Sequence, residues 1–302
     1  MGEALTGGLI LGGATSLAGI VVSINAALSG DASFAFSNAV GGIAAQTLFL
    51  AIADLLHKRA NLEHAAAEPS NLFQAVMLIV LLSLPICAMA GPDIAYFGIH
   101  PVSVLLFLAY VSGAKLASDI SAEPMWRPVQ TPETRDDTPE DEEEAGRSAR
   151  EPALRFALLV LLMGCGGWVI SQVGSAFITR FALSSSLVGS LITAVVTSLP
   201  ELVTTLVAVR RGALQLAVGG IIGGNTFDTL FLVASDIAYR EGSIYHAVDI
   251  HDLYWLGTGL MMTAVLLGGL ILRQRSGPAR IGIESVLIMA IYAAALTVEV
   301  TS

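Results

Sequence analysis

The sequence predicts an all-α integral membrane protein with about nine transmembrane helices in two inverted repeats. Three observations carry that prediction. Of the 302 residues, 54% are hydrophobic and only 13% charged, with a mean hydropathy of +0.73, whereas soluble domains carry about 25% charged residues. Apolar runs long enough to cross about 30 Å of hydrocarbon as helices recur along the chain. Finally, the chain aligns with itself, without a gap, at an offset of 182 residues.

Taken in order, the apolar runs fall near residues 7–27, 37–56, 73–90 and 99–119, then 154–178, 187–208, 214–237, 253–272 and 281–300. They are too long and continuous for the alternating strands of about ten residues that build an outer-membrane barrel. The chain therefore divides into a first half of four helices (1–119), an acidic linker (120–153) and a second half of five helices (154–302). Cys87 and Cys165 both fall inside predicted spans and read as apolar packing residues rather than a disulfide or metal pair. No charged leader precedes the first span, so no cleavable signal peptide is expected. The opening MGEALT fits a myristoylation pattern, but a membrane helix begins at once and the match carries little weight.

The net charge of −10 is mostly local. Between Glu133 and Glu151 the chain holds nine acids and three arginines, which accounts for −6 of it. That composition is typical of a solvated spacer. The alternative is a regulatory or calcium-sensing loop, but the segment lacks the D-x-[DN]-x-[DN]-G ligand pattern. If the first span starts in the cytoplasm, thirteen Lys and Arg lie inside, and only Arg180 and Arg240 outside. This bias places the N-terminus and linker in the cytoplasm and the C-terminus outside.

The internal repeat is specific. LILGGATSLAGIVVSINAALSG at Leu9 overlies LITAVVTSLPELVTTLVAVRRG at Leu191, and GGIAAQTLFLAIAD at Gly41 overlies GGNTFDTLFLVASD at Gly223. Unrelated apolar helices share Leu, Val and Ala by chance, but not a Gly pair, a Thr-Ser pair and a terminal Asp in register. One copy starts inside and the other outside, so the repeats are inverted, and such an architecture puts a substrate site at the midplane.

Polar residues cluster where that site would lie. A carboxylate at the centre of a membrane helix costs about 2.5–3.5 kcal/mol on insertion scales, yet Glu201 and Asp228 fall inside spans with no Lys or Arg at the middle of any span. A cation or a proton remains to offset the cost; the bland alternative is a protonated carboxyl used for helix packing. Pro200 leaves a backbone carbonyl without its helical donor, Thr197 and Ser198 add hydroxyls, and Asn225 stands three residues before Asp228 on one helix face. Gly219, Gly220, Gly223 and Gly224 allow close backbone approach, as plain helix contacts also do.

TSLPEL followed by GGNTFD resembles the second alpha-repeat of the calcium/cation antiporter superfamily, which includes the sodium/calcium exchangers. The resemblance implies inverted five-helix repeats and exchange of Ca²⁺ against Na⁺ or H⁺, with this chain apparently lacking the family's first helix. It implies that Glu201 and Asp228 are the cation-binding carboxylates and that Thr197 and Ser198 contribute oxygens. Thr15 and Ser16 match in the first repeat. Ala18-Gly19 stands where the family has Pro-Glu, Gln46 where it commonly has Asn or Asp, and Gly224 where it usually has Ser. The candidate metal-binding set is thus Glu201, Asp228, Thr197, Ser198, Asn225, Thr15, Ser16 and Gln46.

Weaker candidates are His246, Asp249 and Asp252, read as a wetted external loop more than a metal-capture site, and Asn25, read equally as cavity-lining or as a packing cap. Asp54 and Asp236 repeat near the ends of their spans and read as helix-end or vestibule residues. The expected function is secondary antiport by alternating access. The alternatives are a monovalent cation/proton exchanger, favoured by the absent first-repeat glutamate, and a non-transporting scaffold that keeps the fold. No nucleophile–base pair or nucleotide-binding loop appears, so no enzyme is expected; nor is a cofactor expected beyond the transported ions. The expected partners are inorganic cations and the lipid bilayer of the cell membrane, with no nucleic acid.

Overall fold

A computed structural model describes residues 12–57, 60–129, 131, 150–275, 277 and 281–301. The N-terminal pattern and most of the acidic linker lie outside these residues. The described chain is helical, and its only β-type pairing is one isolated bridge between Tyr96 and Ile99.

The first half contains α1 (Leu17–Leu28), α2 (Ala32–Leu56), the short turn α3 (Leu62–Ala65), α4 (Pro69–Ala90) and α5 (Pro101–Ala122). The helix α6 (Arg150–Phe181) follows the linker. The second half continues with α7 (Ser185–Thr197), α8 (Leu199–Arg211), α9 (Leu214–Asp228), α10 (Leu230–Ala238), α11 (Ile244–Ala247), α12 (Ile250–Leu272) and α13 (Ile283–Thr301). Seven helices are long and apolar enough to span a membrane, counting α9 and α10 as one, and the bent pair α7–α8 makes an eighth. The remaining predicted span is the twelve-residue apolar α1 with the helical turn before it, its start falling outside the described residues.

The 182-residue offset holds through the whole architecture. Helix α1 overlies α8, α2 overlies α9–α10, α3 overlies α11, α4 overlies α12, and α5 overlies α13. Helix α6 has no counterpart within the sequence. It is largely exposed along the bundle surface and packs on α1 and α7.

Two aspartates show how tightly the halves interlock. Asp54, near the end of α2, accepts from Leu62 N–H (2.8 Å), Gly282 N–H (3.2 Å) and Ser285 Oγ (2.9 Å). Asp236, near the end of α10, accepts from Ile244 N–H (3.2 Å), His100 N–H (2.8 Å) and Ser103 Oγ (2.7 Å). Every donor in one set is the 182-residue mate of a donor in the other. Each core helix is thus held by the start of the other half's last helix. The aspartates do sit at helix ends, as the repeat suggests, and they lie at opposite ends of the bundle: a Cβ on Gly30, just before α2, would lie 3.2 Å from Glu241, just after α10.

Helix α2 is buried along most of its length and is the central post. It crosses α7 with backbones in contact, since a Cβ on Gly41 would collide with Ser190 Cα and lie 2.5 Å from its carbonyl oxygen. Only glycine permits that approach. Opposite it, residues Val188–Thr193 of α7 are wound as a π-helix, a local widening common at functional sites.

Cys87 and Cys165 are free, but they face the outer surface of the bundle rather than its packed interior. Asn25 donates to the Val21 carbonyl of its own helix (2.8 Å) and does not reach the interior cluster. Asp249 and Asp252 form the capping box of α12, and His246 bonds Ser243 and the Gly91 carbonyl. Asp252 departs from the wetted-loop reading: it is fully buried and accepts from Ser33 Oγ at the start of α2, because it serves as the inward-facing half of the capping box.

Gly41→Ala should therefore destabilise the protein by about 1–3 kcal/mol through overpacking, seen as a melting temperature lower by roughly 2–4 °C per kcal/mol in detergent. Gly166→Ala, with nothing within 4 Å of the added methyl, should melt like the wild type.

Candidate cation-binding site

Both repeats break the helical stretch that carries Thr-Ser-Leu at the same place. Ser16 ends the turn before α1 and Ser198 separates α7 from α8, with φ/ψ of −79°/−2° and −92°/2°. In each copy the serine N–H still reaches four residues back, to Gly12 and Ala194, at 2.9 and 3.1 Å. At the Ser198 break the helix bends by 43°. The residue pair Leu199-Pro200 contributes, because proline cannot donate the helical bond and its ring strains the preceding turn.

Across these breaks stand the paired motifs of α2 and α9. Ser16 Oγ donates to Asp228 Oδ1 at 2.6 Å, and Gln46 Nε2 donates to Asp228 Oδ2 at 2.6 Å and to Ser198 Oγ at 3.4 Å. Ser16 and Ser198 are repeat mates, and so are Gln46 and Asp228. The four side chains form one hydrogen-bonded chain, Ser16–Asp228–Gln46–Ser198, between the two repeats. Gly42 lies against it: a Cβ there would make ordinary contact with Ser198 Oγ (3.5 Å) and Asp228 Oδ2 (3.9 Å).

Glu201, on the first turn of α8, lies close enough to Asp228 for their charges to interact. It is 5% exposed and Asp228 2%, so the cluster is closed off from solvent. Neither Glu201 oxygen has a hydrogen-bond donor. The Thr15 and Ser16 hydroxyls approach it, but they donate to the Gly12 carbonyl (3.0 Å) and to Asp228. Gln46 Oε1 and Asn225 Oδ1 are also buried without a donor. A buried acceptor left unpaired costs about 1–3 kcal/mol, more if charged, so this cluster is short of positive charge.

The predicted residues are not all equal. Ser16, Gln46, Ser198, Asp228 and Glu201 come together. Thr197 Oγ1 bonds the Thr193 and Ala194 carbonyls of its own helix (2.8 and 3.2 Å), and Asn225 Nδ2 bonds Thr47 Oγ1 (3.0 Å), leaving its carbonyl oxygen available. Among the described residues, no group of three or more His, Cys, Asp or Glu is arranged to hold a metal ion; the cluster offers two carboxylates and amide and hydroxyl oxygens.

The sequence pattern missed two features. Gly19 is the repeat mate of Glu201, and its side-chain space is filled: a Cβ there would lie 2.6 Å from Phe231 Cε2 and 3.2 Å from Cζ. The signal for this was only the second TLFL quartet, which reads as core. The other is a network in which Asn38 Nδ2 donates to the Gly19 carbonyl and Ser23 Oγ (3.0 and 2.9 Å), while Thr193 Oγ1 donates to Asn38 Oδ1 (2.7 Å). An asparagine at the start of an apolar span was the available clue.

A family model described as "Sodium/calcium exchanger protein" matches residues 152–300. A putative antiporter, CaxA, from Alkalimonas amylolytica is 34% identical over 102 residues, or 34% of this chain and 30% of that protein. The inner membrane protein YrbG of Escherichia coli (strain K12) is 30% identical over 91 residues, 30% of this chain and 28% of that protein. The matches thus span less than a third of these relatives' own lengths. A solved structure of the sodium-calcium exchanger NCX_Mj, soaked with zero Na⁺ and Ca²⁺, superposes with a TM-score of 0.60 over 97% of this chain and 86% of that one, at 18% identity. The same exchanger soaked with 10 mM Na⁺ and zero Ca²⁺ gives 0.58 at 17% identity with the same coverage. At these identities the structural likeness speaks to the fold alone.

Gly19→Ala should lower stability by about 1–3 kcal/mol as its methyl meets the Phe231 ring. Combining it with Phe231→Leu should recover part of that loss, a non-additivity that a double-mutant cycle of unfolding measurements detects.

Proposed function

We propose that the chain, whose residues 152–300 match the sodium/calcium exchanger family model, is a cation antiporter that exchanges Ca²⁺ for Na⁺ or H⁺ across the membrane. The carrying observation is the buried, donor-poor acidic cluster: two adjacent carboxylates, with both Glu201 oxygens, Gln46 Oε1 and Asn225 Oδ1 unpartnered. Two carboxylates match the charge of one divalent ion or two monovalent ions. A hard cation such as Ca²⁺ takes 6–8 oxygens. Glu201 and Asp228 supply up to four, Gln46 and Asn225 one each, and the hydroxyls of Ser16, Ser198, Thr15 and Thr197 lie on the same helix breaks.

The two carboxylates play different parts. Asp228 already holds donors from Ser16 and Gln46 on its two oxygens, whereas Glu201 holds none. An arriving cation meets Glu201 first, and Asp228 joins as the Ser16 hydroxyl turns its own oxygen toward the ion. Gln46 Nε2 can stay on Ser198 while its Oε1 ligates. The exchange is alternating: halves built on one register rock against each other about the central cluster, opening Glu201 to one side and then the other. Broken helices at this depth are tolerated where they line such a cavity. The Lys and Arg bias supports a cytoplasmic N-terminus and linker and an external C-terminus.

A second reading has its own support. Phe231 occupies the space of a second glutamate at Gly19, and Gln46 stands opposite Asp228 with an amide rather than an acid. A pocket with fewer charges favours Na⁺ or K⁺ exchanged for H⁺.

Proteoliposomes loaded with Na⁺ should take up radioactive Ca²⁺, and Glu201→Gln should reduce that uptake to the background of empty liposomes. Uptake absent under both Na⁺ and pH gradients would remove calcium exchange, and pH-driven monovalent flux abolished by Glu201→Gln would establish the second reading.

A further inference from the structure

The two aspartate cradles, at Asp54 and Asp236, have identical donors but different surroundings. Beside Asp236 the repeat positions hold Tyr245 and Val102; beside Asp54 they hold Glu63 and Glu284. Tyr245 Oη meets Ser103 Oγ at 2.8 Å, and Asp236 is the one acid of that cradle. The other cradle holds three. Glu63 is fully buried with no donor on either oxygen, and Glu284 is 5% exposed with Oε1 unpartnered. The fold does not require these acids, because the mirrored cradle is complete without them.

Glu63 follows Leu62, whose N–H bonds Asp54, and Glu284 stands between Gly282 and Ser285, which bond the same carboxylate, so both acids are brought to the Asp54 cradle. Two carboxylates share a hydrogen bond only when one carries a proton, since an ionised carboxylate has nothing to donate. A metal ion is not favoured: among the described residues no three such side chains are arranged to hold one. We propose that Glu63 and Glu284 form a proton-binding pair that shares one proton and clasps the α3 turn to the start of α13.

Burial, and then the charges of Asp54 and Glu284, push the Glu63 carboxyl well above the usual carboxylate range. Among the described residues, charged groups near this turn include His64, whose Nδ1 meets the Arg273 carbonyl (2.7 Å), Arg273, whose Nη2 donates to the His64 and Val129 carbonyls (3.4 and 3.2 Å), Arg275, whose carbonyl accepts from Asn61 N–H (3.2 Å), and Glu68, whose N–H donates to the Ala66 carbonyl (2.8 Å). The helices packed against the turn are α9 and α12. They carry their ionisable groups, Asp228, His251 and Asp252, toward their far ends.

A raised folded-state value means that the folded protein holds the proton more tightly than the unfolded chain. The stabilisation is therefore complete below the ordinary carboxylate value, about 4.3–4.5, and is lost as pH rises toward the folded value. Once the proton leaves, Asp54, Glu63 and Glu284 are buried negative charges side by side, and the clasp between the two halves loosens. The pair is thus a pH-sensitive latch, at the cytoplasmic end in the orientation the Lys and Arg bias supports.

The test is thermal unfolding of the full chain in detergent from about pH 5 to about pH 9, with and without calcium chloride, for wild type, Glu63→Gln and Glu284→Gln. Wild type should melt at progressively lower temperature toward alkaline pH. Glu63→Gln should flatten part of that fall and melt about 3 °C or more above wild type at the alkaline end. Glu284→Gln should do the same, and the double variant should add little because one proton is shared. An unchanged pH slope in both variants would overturn the proposal. So would a rise in wild-type melting temperature with calcium at alkaline pH that Glu63→Gln abolishes, since the ligand would then be the metal. A protonated-carboxyl infrared band at neutral pH that disappears in Glu63→Gln supports the pair independently of melting, and its persistence counts against it. None of these readouts involves transport, so the proposal stands or falls apart from the antiport reading.

Discussion

The reciprocal grip at the two helix ends is the constraint from which the rest of the structure follows. A buried aspartate near the end of each core helix accepts three hydrogen bonds, two of them from the start of the other half's last helix. Losing one of these would leave a carboxylate unpaired in a low-dielectric interior, so register is held at both ends at once. With both ends held, the middle falls into register: Ser16 meets Asp228, Gln46 meets Ser198, and Gly41 lies on the backbone of Ser190. The central cluster is a consequence of end-to-end fastening.

Within that symmetric frame the chemistry is unequal. One half supplies Glu201 and Asp228; the other supplies Gly19 and Gln46 at the mated positions. Phe231 covers the first vacancy, and the Gln46 amide turns the second into a donor for Asp228. Charge is thereby limited to two carboxylates, and both are spared direct mutual contact with further acids. The same division recurs at the ends of the bundle, where one aspartate cradle is surrounded by Tyr245 and Val102 and the other by Glu63 and Glu284. Duplicated geometry with diverged side chains thus gives mated positions different charge and hydrogen-bonding capacity.

Membrane class, span positions and the repeat were legible in the sequence because each depends on local quantities: apolar run length, and residue identity at a fixed offset. The break at Ser198 was legible from Thr-Ser-Leu-Pro-Glu, since proline's missing donor is a local fact. The carboxylates Glu201 and Asp228 were legible because a charge inside an apolar run stands out against its energetic cost. The tertiary structure alone decided which oxygens are occupied and which are left open. Thr197 turns back to its own helix, Asn225 divides its amide between Thr47 and the site, and Phe231 fills the space beside Gly19. Likewise, Glu63 and Glu284 lie 221 positions apart in number, and nothing in either neighbourhood announces a shared proton. Hydrogen-bond partnership and steric occupancy depend on which surfaces meet across the bundle, and apolar periodicity does not encode that.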